Sequence, residues 1–255
     1  MMEWVSHLQF GKGASVAIVL IALLVLERIF PVVTRHQSIE RLGRNFSFAG
    51  LNFLLSPFIV IPITLYANGV ALAWRPLWWG GWSGLVLDLL ILDCWIYFWH
   101  RLNHVLPFLW RFHEVHHLDE TLDASSALRF HFGEVVLSSL VRAAVIIVLG
   151  FSFTSILVFE TVVTIAAIFH HSNIALPAPI EKLLSYIIVT PSIHWVHHHA
   201  LQRDTDSNYA TILSVWDRLF GSVSLGRRER EMKIGVEGVR EQNLLRLILR
   251  PFYKA

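Results

Sequence analysis

The sequence predicts an all-α integral membrane protein, a helical bundle of about four to five spans with a cytosolic-facing helical cap that carries clustered histidines. Three observations predict this class. Hydrophobic residues make up 55% of the 255-residue chain and charged residues only 16%, whereas soluble domains contain about 25% charged residues. Several apolar runs approach the roughly 20 residues that a helix needs to cross a bilayer. Twelve of the 14 histidines fall between His100 and His199.

The composition also excludes several kinds of partner and site. The formal net charge is only +2 and no basic stripe is interleaved with aromatic residues, so we expect no nucleic-acid partner. Cys94 is the only cysteine. A single cysteine excludes an internal disulfide, an iron–sulfur cluster with cysteine ligands and a cysteine-rich zinc site.

Five apolar runs predict the helices of the bundle. They cover residues 14–33, 46–73, 82–99, 134–150 and 151–169. Pro57 and Pro62 predict kinks in the second run. The fourth and fifth runs predict a hairpin that turns near Gly150, in which the charge of Arg142 argues against a full span.

Three regions follow from these runs. Residues 1–80 form a transmembrane anchor region, residues 81–225 a histidine-box catalytic domain, and residues 226–255 a basic tail. The tail is either an amphipathic helix on the membrane surface or a packed C-terminal helix. It ends without a dilysine retrieval pattern, which favours a bacterial inner membrane over the endoplasmic reticulum.

Loop charges predict the orientation of the bundle. Four arginines, from Arg28 to Arg44, lie near the end of the first run and between it and the second, and cytosolic loops carry an excess of Lys and Arg. The next loop has only Arg75 beside several tryptophans, which is typical of the external interface. Alternation of the spans then places every histidine cluster on the cytosolic side.

Three histidine boxes have the spacing of metal ligands on helices. Rings three or four residues apart lie on one helix face. The boxes are His100 with His104, His113 with His116 and His117, and His194 with His197 and His198. Eight imidazoles exceed the roughly four ligands of one zinc ion and suit two metal ions.

Further residues near the boxes extend this prediction. We favour His171 as a ninth ligand and keep His170 as a metal ligand or a residue that supports one. His131 remains open between a ligand, a supporting residue and a substrate contact. Asp93 lies seven residues before His100 on the same helix stripe, where a carboxylate could accept the second ring N–H of a ligand histidine.

Two other function classes stay open at this point. A membrane zinc metalloprotease is one, because His113, Glu114 and His117 fit H-E-x-x-H, in which the glutamate acts as base. That interpretation leaves His116 unexplained, and the last box has Trp195 in the position of the glutamate. A non-enzymatic metal carrier or sensor is the other class.

The boxes, in this order and after hydrophobic spans, resemble the fatty acid hydroxylase/sterol desaturase superfamily of membrane di-iron enzymes. Residues 92–104 and 113–117 are similar to its first two boxes. Residues 129–134 are similar to a segment that usually has proline where this chain has Phe132. Residues 190–198, 206–209 and 216–221 resemble its C-terminal signature, so the resemblance covers roughly residues 85–225.

The resemblance implies an oxidoreductase that hydroxylates or desaturates a C–H bond of a lipid, such as a fatty acyl chain, sterol or related isoprenoid. It implies two iron ions on the nine histidines, with zinc as a substitute in a preparation, and O2 as co-substrate. We expect a separate electron donor of the cytochrome or ferredoxin type. The residues expected to support the ligands or contact the substrate are Asp93, Tyr97, Glu134, Asn173, Asp206, Asn208 and Tyr209.

Overall fold

A computed structural model describes the backbone of residues 2–34 and 38–253, with side chains from residue 11 onward. Its described part contains helices and loops, with isolated bridges but no strands. The helices are α1 (Met2–Ile29), α2 (Ile39–Leu55), α3 (Val60–Gly69), α4 (Gly81–Val105), α5 (Pro107–His117), α6 (Phe132–Leu149), α7 (Phe153–His171), α8 (Ala178–Ser185), α9 (Pro191–His197), α10 (Gln202–Thr205), α11 (Val215–Leu219) and α12 (Leu244–Leu249). Short 3₁₀ helices cover Ala124–Leu128 and Arg250–Phe252. The predicted all-α fold class is confirmed.

Three helices among the described residues, α4, α6 and α7, are long and apolar enough to cross a membrane. The pair α2 and α3, bent by 45°, passes the same test together and gives a fourth candidate span. Helix α1 does not meet this test of length and apolarity over the residues whose side chains are described. That stretch includes Lys12, Glu27 and Arg28. A span at residues 14–33 therefore stays a prediction, and the helix there ends at Ile29 because Pro31 follows closely.

Prolines and a glycine set the breaks between these helices. The bend between α2 and α3 falls at residues 56–59, which contain Pro57 as predicted. Pro62 makes no kink of its own, because it lies in the first turn of α3, where a missing N–H is tolerated. Gly150 ends α6 with φ 64° and ψ 37°, and α7 begins three residues later as the second arm of the predicted hairpin.

The spans pack on one another through an apolar core. Its buried members come from α3, α4, α6, α7 and the turn before α7. They are Ala67, Leu92, Ile146, Phe151, Ile156 and Phe159. Helix α3 packs on α6 and α1 packs on α7, so the N-terminal helices pack directly on the two arms of the hairpin, of which α7 carries His171. The division into three regions stays a prediction.

A buried polar network joins α2 to the chain that follows the second box. Arg41 donates from Nε and Nη2 to the two carboxylate oxygens of Asp119, at 2.6 and 2.8 Å, and from Nη1 to Asp123 at 2.6 Å. Asp123 in turn caps the 3₁₀ helix Ala124–Leu128. Removal of one partner from a buried ion pair destabilises a protein by about 3–5 kcal/mol. This network therefore fixes the segment that follows the second box to helix α2.

The C-terminal tail packs on the second box. Leu247 of α12 is buried against Phe48, Val115 and Leu118, whereas Leu245 is exposed. Both carboxylate oxygens of Glu114 accept from Arg250, at 2.8 and 2.9 Å. Through these contacts the end of the tail lies against the helix that carries the second box.

The hairpin turn at Gly150 provides a test of the fold. A Cβ at residue 150 would lie 2.6 Å from the carbonyl oxygen of Leu72, and a left-handed conformation costs a non-glycine residue about 1–2 kcal/mol. We expect Gly150→Ala to lower the free energy of unfolding by about 2 kcal/mol or more. The matched change Gly43→Ala, at an exposed helical site with open space, should stabilise by about 0.5–1 kcal/mol. Thermal unfolding in detergent measures both, and equal shifts for the two variants would contradict this account of the turn.

Candidate metal centre

Nine histidines converge in two groups whose ligand atoms lie within 4.8 Å of one another in each group. The first group is His100, His104, His113, His117 and His197. The second group is His116, His171, His194 and His198. These are the nine residues that the sequence singles out as ligands. Helix α5 and the chain around the end of α9 contribute to both groups, so the two groups are neighbours.

Local sequence explains how the helices present these rings. Pro107 and Pro191 each occupy the first turn of their helices, α5 and α9, where the ring is preorganised for helix formation. Each helix therefore begins a few residues before its box and is short enough to direct the histidines to one site. Helix α4 ends at Val105, directly after His104, because the next helix starts at Pro107.

Ring nitrogens within each group lie at the separation of ligands that share one ion. In the first group, His113 Nε2 lies 3.2 Å from His100 Nε2 and 3.2 Å from His117 Nε2. An ion about 2.1 Å from each nitrogen holds adjacent ligand nitrogens about 3.0–3.4 Å apart. The second group has the same spacing. Its Nε2 pairs, each 3.0–3.1 Å apart, are His171 with His116, His194 with His171, and His198 with His194.

Hydrogen bonds at Nδ1 determine which nitrogen faces the centre. Three Nδ1 atoms donate to backbone carbonyls that can only accept: His100 to Tyr209, His197 to Ser207 and His171 to Ala167, at 2.7–2.8 Å. A fourth, His113 Nδ1, lies 2.9 Å from Glu134 Oε1. Because these Nδ1 atoms carry the proton, Nε2 is left with its lone pair, which is the form that binds a metal.

Burial keeps the rings neutral. Desolvation, together with the neighbouring rings, lowers the pKa of five histidines in and directly after α5 and α9, and the pKa of His197 falls to about 3. The five are His116, His117, His194, His197 and His198. Metal ions bind neutral imidazole, so no proton has to be displaced before these rings act as ligands.

The donor set fits two metal ions. His197 Nε2 and both ring nitrogens of His104 are buried without a hydrogen-bond partner in the described part of the protein. An unpaired buried polar atom costs about 1–3 kcal/mol, and coordination would remove that cost for one nitrogen of each ring. An all-imidazole set of five and four nitrogens suits iron, zinc or copper.

A cavity of about 500 Å3 opens onto both groups. Its polar wall includes six histidines, and the rest of its wall is mainly apolar. The six are His100, His113, His116, His170, His171 and His194. A hydrocarbon chain in this cavity would contact ring nitrogens of both groups at one end and apolar side chains along its length.

Asp93 and Tyr97 lie away from both groups. The carboxylate of Asp93 accepts from Trp216 Nε1 at 2.8 Å and from the backbone of Leu213 at 3.0 Å, and it holds the loop before α11 instead of the ring that we expected. Seven residues of helix amount to about 10 Å, which is too far for a hydrogen bond from Asp93 to the His100 ring. The hydroxyl of Tyr97 contacts Ser222 Oγ at 2.8 Å.

The remaining polar residues expected near the site have mixed positions. Asp206 Oδ1 lies 3.6 Å from His104 Nδ1, and the carbonyl of Tyr209 accepts from His100. Asn208 has a positive φ of 52° and links Ile193 to Ser224 through its side-chain amide. The side chain of Asn173 pairs with the backbone of Val33, so it joins α7 to the chain after α1.

His131 and His170 belong to neither group. His131 Nδ1 accepts from the backbone of Gly133 and His131 Nε2 donates to the carbonyl of Ile248, both at 2.9 Å. Both nitrogens are used, so His131 caps α6 and has no lone pair for an ion. His170 lines the cavity, and its ring centroid lies 3.9 Å from that of His194. It therefore supports the second group or contacts a ligand in the cavity.

Sequence reasoning did not identify the backbone carbonyls of Ala167, Ser207 and Tyr209 as partners of the histidines. No side-chain pattern marks a carbonyl acceptor. It also missed the pairing of Glu114 with Arg250, for which the basic tail was the only signal. With both oxygens on Arg250, this glutamate is not placed to act as the base of an H-E-x-x-H protease.

The fold and the site define a helical membrane protein with two adjoining histidine groups at one end of its spans. A family model described as fatty acid hydroxylase matches residues 85–222, which is more than half of the chain. The chain belongs to the fatty acid hydroxylase family. The matched residues nearly coincide with the range of 85–225 over which the motifs resemble that superfamily.

Several curated relatives are lipid oxygenases by name. The ornithine lipid hydroxylase of Rhizobium tropici is 28% identical over 169 residues, which cover 66% of this chain and 50% of that protein. The alkylglycerol monooxygenase of Danio rerio is 32% identical over 154 residues, which cover 59% of this chain and 30% of that protein. The cholesterol 25-hydroxylase of Rattus norvegicus is 26% identical over 156 residues, which cover 61% of this chain and 51% of that protein. The chain spans about half or less of the length of these relatives, and no solved structure matches it.

Glu134 and Glu114 form a matched pair of carboxylates for a test of the site. Glu134→Gln removes the charge that orients His113, and loss of such a partner typically lowers metal affinity about 10–100-fold. Glu114→Gln, beside His113 in sequence, changes only the pair with Arg250 and should leave metal affinity unchanged. Retention of bound metal against increasing chelator, measured by elemental mass spectrometry, compares them. Equal retention by the two variants would contradict the assigned role of Glu134.

Proposed function

We propose that this protein is an O2-dependent membrane oxidoreductase that hydroxylates a lipid at a centre of two iron ions. The cavity that opens onto both histidine groups carries this proposal, because it brings an apolar chain and the two candidate metal positions together. A largely apolar cavity with a few convergent polar groups is typical of a binding site for an apolar ligand.

The two histidine groups would each hold one iron ion. The first supplies five imidazoles and the second four, and α5 and α9 contribute to both, which would keep the two ions adjacent. Bound iron supplies the activation of O2 for oxidation of an unactivated C–H bond. The same nine positions would also bind zinc in a preparation, because imidazole suits both metals.

The side chains of the protein would orient and shield the reaction. Hydrogen bonds from Nδ1 of His100, His171 and His197 fix the ring planes, so little reorganisation is needed when a metal binds. Apolar residues of the cavity, among them Phe130 and Trp99, exclude water from the C–H bond to be oxidised.

Hydroxylation is favoured over desaturation by the names of the relatives. By name, these relatives are hydroxylases or monooxygenases of ornithine lipid, alkylglycerol and cholesterol. These ligands share a long apolar body, which agrees with the apolar cavity. We therefore place the substrate of this chain among membrane lipids, with a separate cytochrome or ferredoxin as electron donor.

The histidine groups would face the cytosol. The support is the excess of arginine between Arg28 and Arg44 and the exposed tryptophans Trp74, Trp78 and Trp82 at the opposite end of the spans, since cytosolic loops are basic and tryptophan is enriched at membrane interfaces. A cytosolic site gives soluble or membrane-bound electron donors direct access.

His197 and His199 provide a matched test of the function. Both are histidines at the end of α9, but His199 lies outside both groups and pairs with Asp204 at 2.7 Å. We expect His197→Ala to reduce the hydroxylated lipid by more than about 100-fold, since loss of a ligand should exceed the 10–100-fold effects of outer partners. His199→Ala should keep most of the product.

Comparative lipid profiling of cells that express each variant under O2, with iron analysis of the purified proteins, measures these effects. Protein level in the membrane controls for folding. The proposal fails if the unaltered protein contains no iron and the lipid profiles with and without His197→Ala are identical.

A further inference from the structure

Three charged side chains meet inside the bundle, well away from the histidines. Glu160 of α7 accepts from Lys12 Nζ of α1 at 2.6 Å and pairs with Arg142 Nη2 of α6 at 2.8 Å. The side chains are only 23%, 17% and 12% exposed for Lys12, Glu160 and Arg142. Charged groups among apolar spans are costly and mark functional sites more often than elsewhere.

This triad, Lys12, Arg142 and Glu160, lies where two cavities adjoin. Lys12 and Arg142 line the cavity that opens onto the histidines. All three line a second cavity of about 260 Å3, and Val163 and Thr164 belong to both walls. A ligand that reaches the histidines from this side therefore passes or contacts the two cations.

The triad and the histidine groups stand a lipid chain's length apart. Glu160 precedes His171 by 11 residues of the same helix, which corresponds to about 16 Å at 1.5 Å per residue. A polar group held at the triad would leave an attached hydrocarbon chain to extend along the apolar wall towards the two groups. The triad would then determine which carbon of the chain lies beside the candidate metal positions.

The charges of the triad do not balance. Its one carboxylate uses one oxygen for each cation, so two positive charges face one negative charge. Arg142 Nε is buried without a hydrogen-bond partner in the described part of the protein. The other carboxylate on the cavity, Glu134, is bonded to His113 and lies about 12 Å from Arg142 along α6. An anion beside Arg142 would neutralise the excess charge.

We propose that the triad binds the oxyanion of an acidic amphiphile, a carboxylate or a phosphate, while its hydrocarbon chain occupies the cavity up to the histidines. Arginine suits this role because its planar fork presents several N–H donors to oxygen pairs. Glu160 holds the two cations in place. The proposal rests on the proposed function only for the identity of the ligand as a lipid.

Binding without turnover tests the proposal separately from catalysis. The protein in nanodiscs of neutral lipid, without reductant, is titrated with hexadecanoate, hexadecyl phosphate and hexadecanol, and binding is corrected for partition into empty nanodiscs. We expect at least one of the two acidic ligands to bind about tenfold or more tightly than the alcohol, because a hydrogen bond to a charged group contributes that much. The acidic ligand with the higher affinity identifies the source of the oxyanion.

Variants distinguish recognition from a purely structural ion triad. Arg142→Gln should reduce the ratio of the affinity for the acidic ligand to the affinity for the alcohol to nearly one. Arg142→Lys should retain part of this preference. The matched control is Arg75→Gln, which breaks a different arginine–carboxylate pair in the bundle, Arg75 with Asp88 at 2.9 Å, and should keep the full preference. Lys12→Gln, expected to weaken the preference, replaces Arg142→Gln if that variant does not fold.

Equal affinity of the unaltered protein for all three ligands would overturn the proposal. So would a folded Arg142→Gln or Lys12→Gln variant that keeps the full preference, since the triad would then only stabilise the packing of α1, α6 and α7. A failed hydroxylase assay leaves this binding result unaffected, so the two proposals fail separately.

Discussion

Nine imidazole rings are buried at one end of the bundle, and the position of each ring depends on how its nitrogens are satisfied. Four Nδ1 atoms have an acceptor outside the groups, at Tyr209, Ser207, Ala167 and Glu134. Their Nε2 atoms point into groups in which neighbouring Nε2 atoms lie 3.0–3.2 Å apart, the separation of ligands on one ion. Because unpaired buried nitrogens are costly, binding of a metal would stabilise the groups. The rest of the fold serves to hold these rings.

The long helices α4 and α7 and the short helices α5 and α9 both contribute to holding the rings. The spans α4 and α7 carry His100, His104 and His171 at their C-terminal ends, and the proline-initiated helices α5 and α9 carry the others or end directly before them. Arg41 with Asp119 and Asp123 anchors the chain after the second box to α2. Arg250 with Glu114 anchors the tail to the back of the same box. The cavity is lined by residues of the spans and opens onto the histidines.

Local patterns in the sequence predicted the parts of this architecture that depend on local physics. Apolar runs located α4, α6 and α7, and Gly150 located the hairpin turn. The i, i+3 and i+4 spacing selected eight of the nine histidines that converge, and the ninth, His171, was favoured from its position at the end of the fifth apolar run. That these histidines bind a metal stays a prediction. Interactions between distant segments had no such signal: Arg41 is 78 residues from Asp119 and Lys12 is 148 from Glu160. Asp93 lies on the same helix face as His100, but its carboxylate accepts hydrogen bonds from Leu213 and Trp216. A shared helix face means that two side chains point the same way, but it does not bring them within hydrogen-bond distance.

Diffraction data collected on both sides of the iron absorption edge would test the central claim most directly. The account predicts two anomalous peaks per chain, one inside the group of His100, His104, His113, His117 and His197 and one inside the group of His116, His171, His194 and His198. A single peak, or peaks that lie outside these two groups, would contradict it.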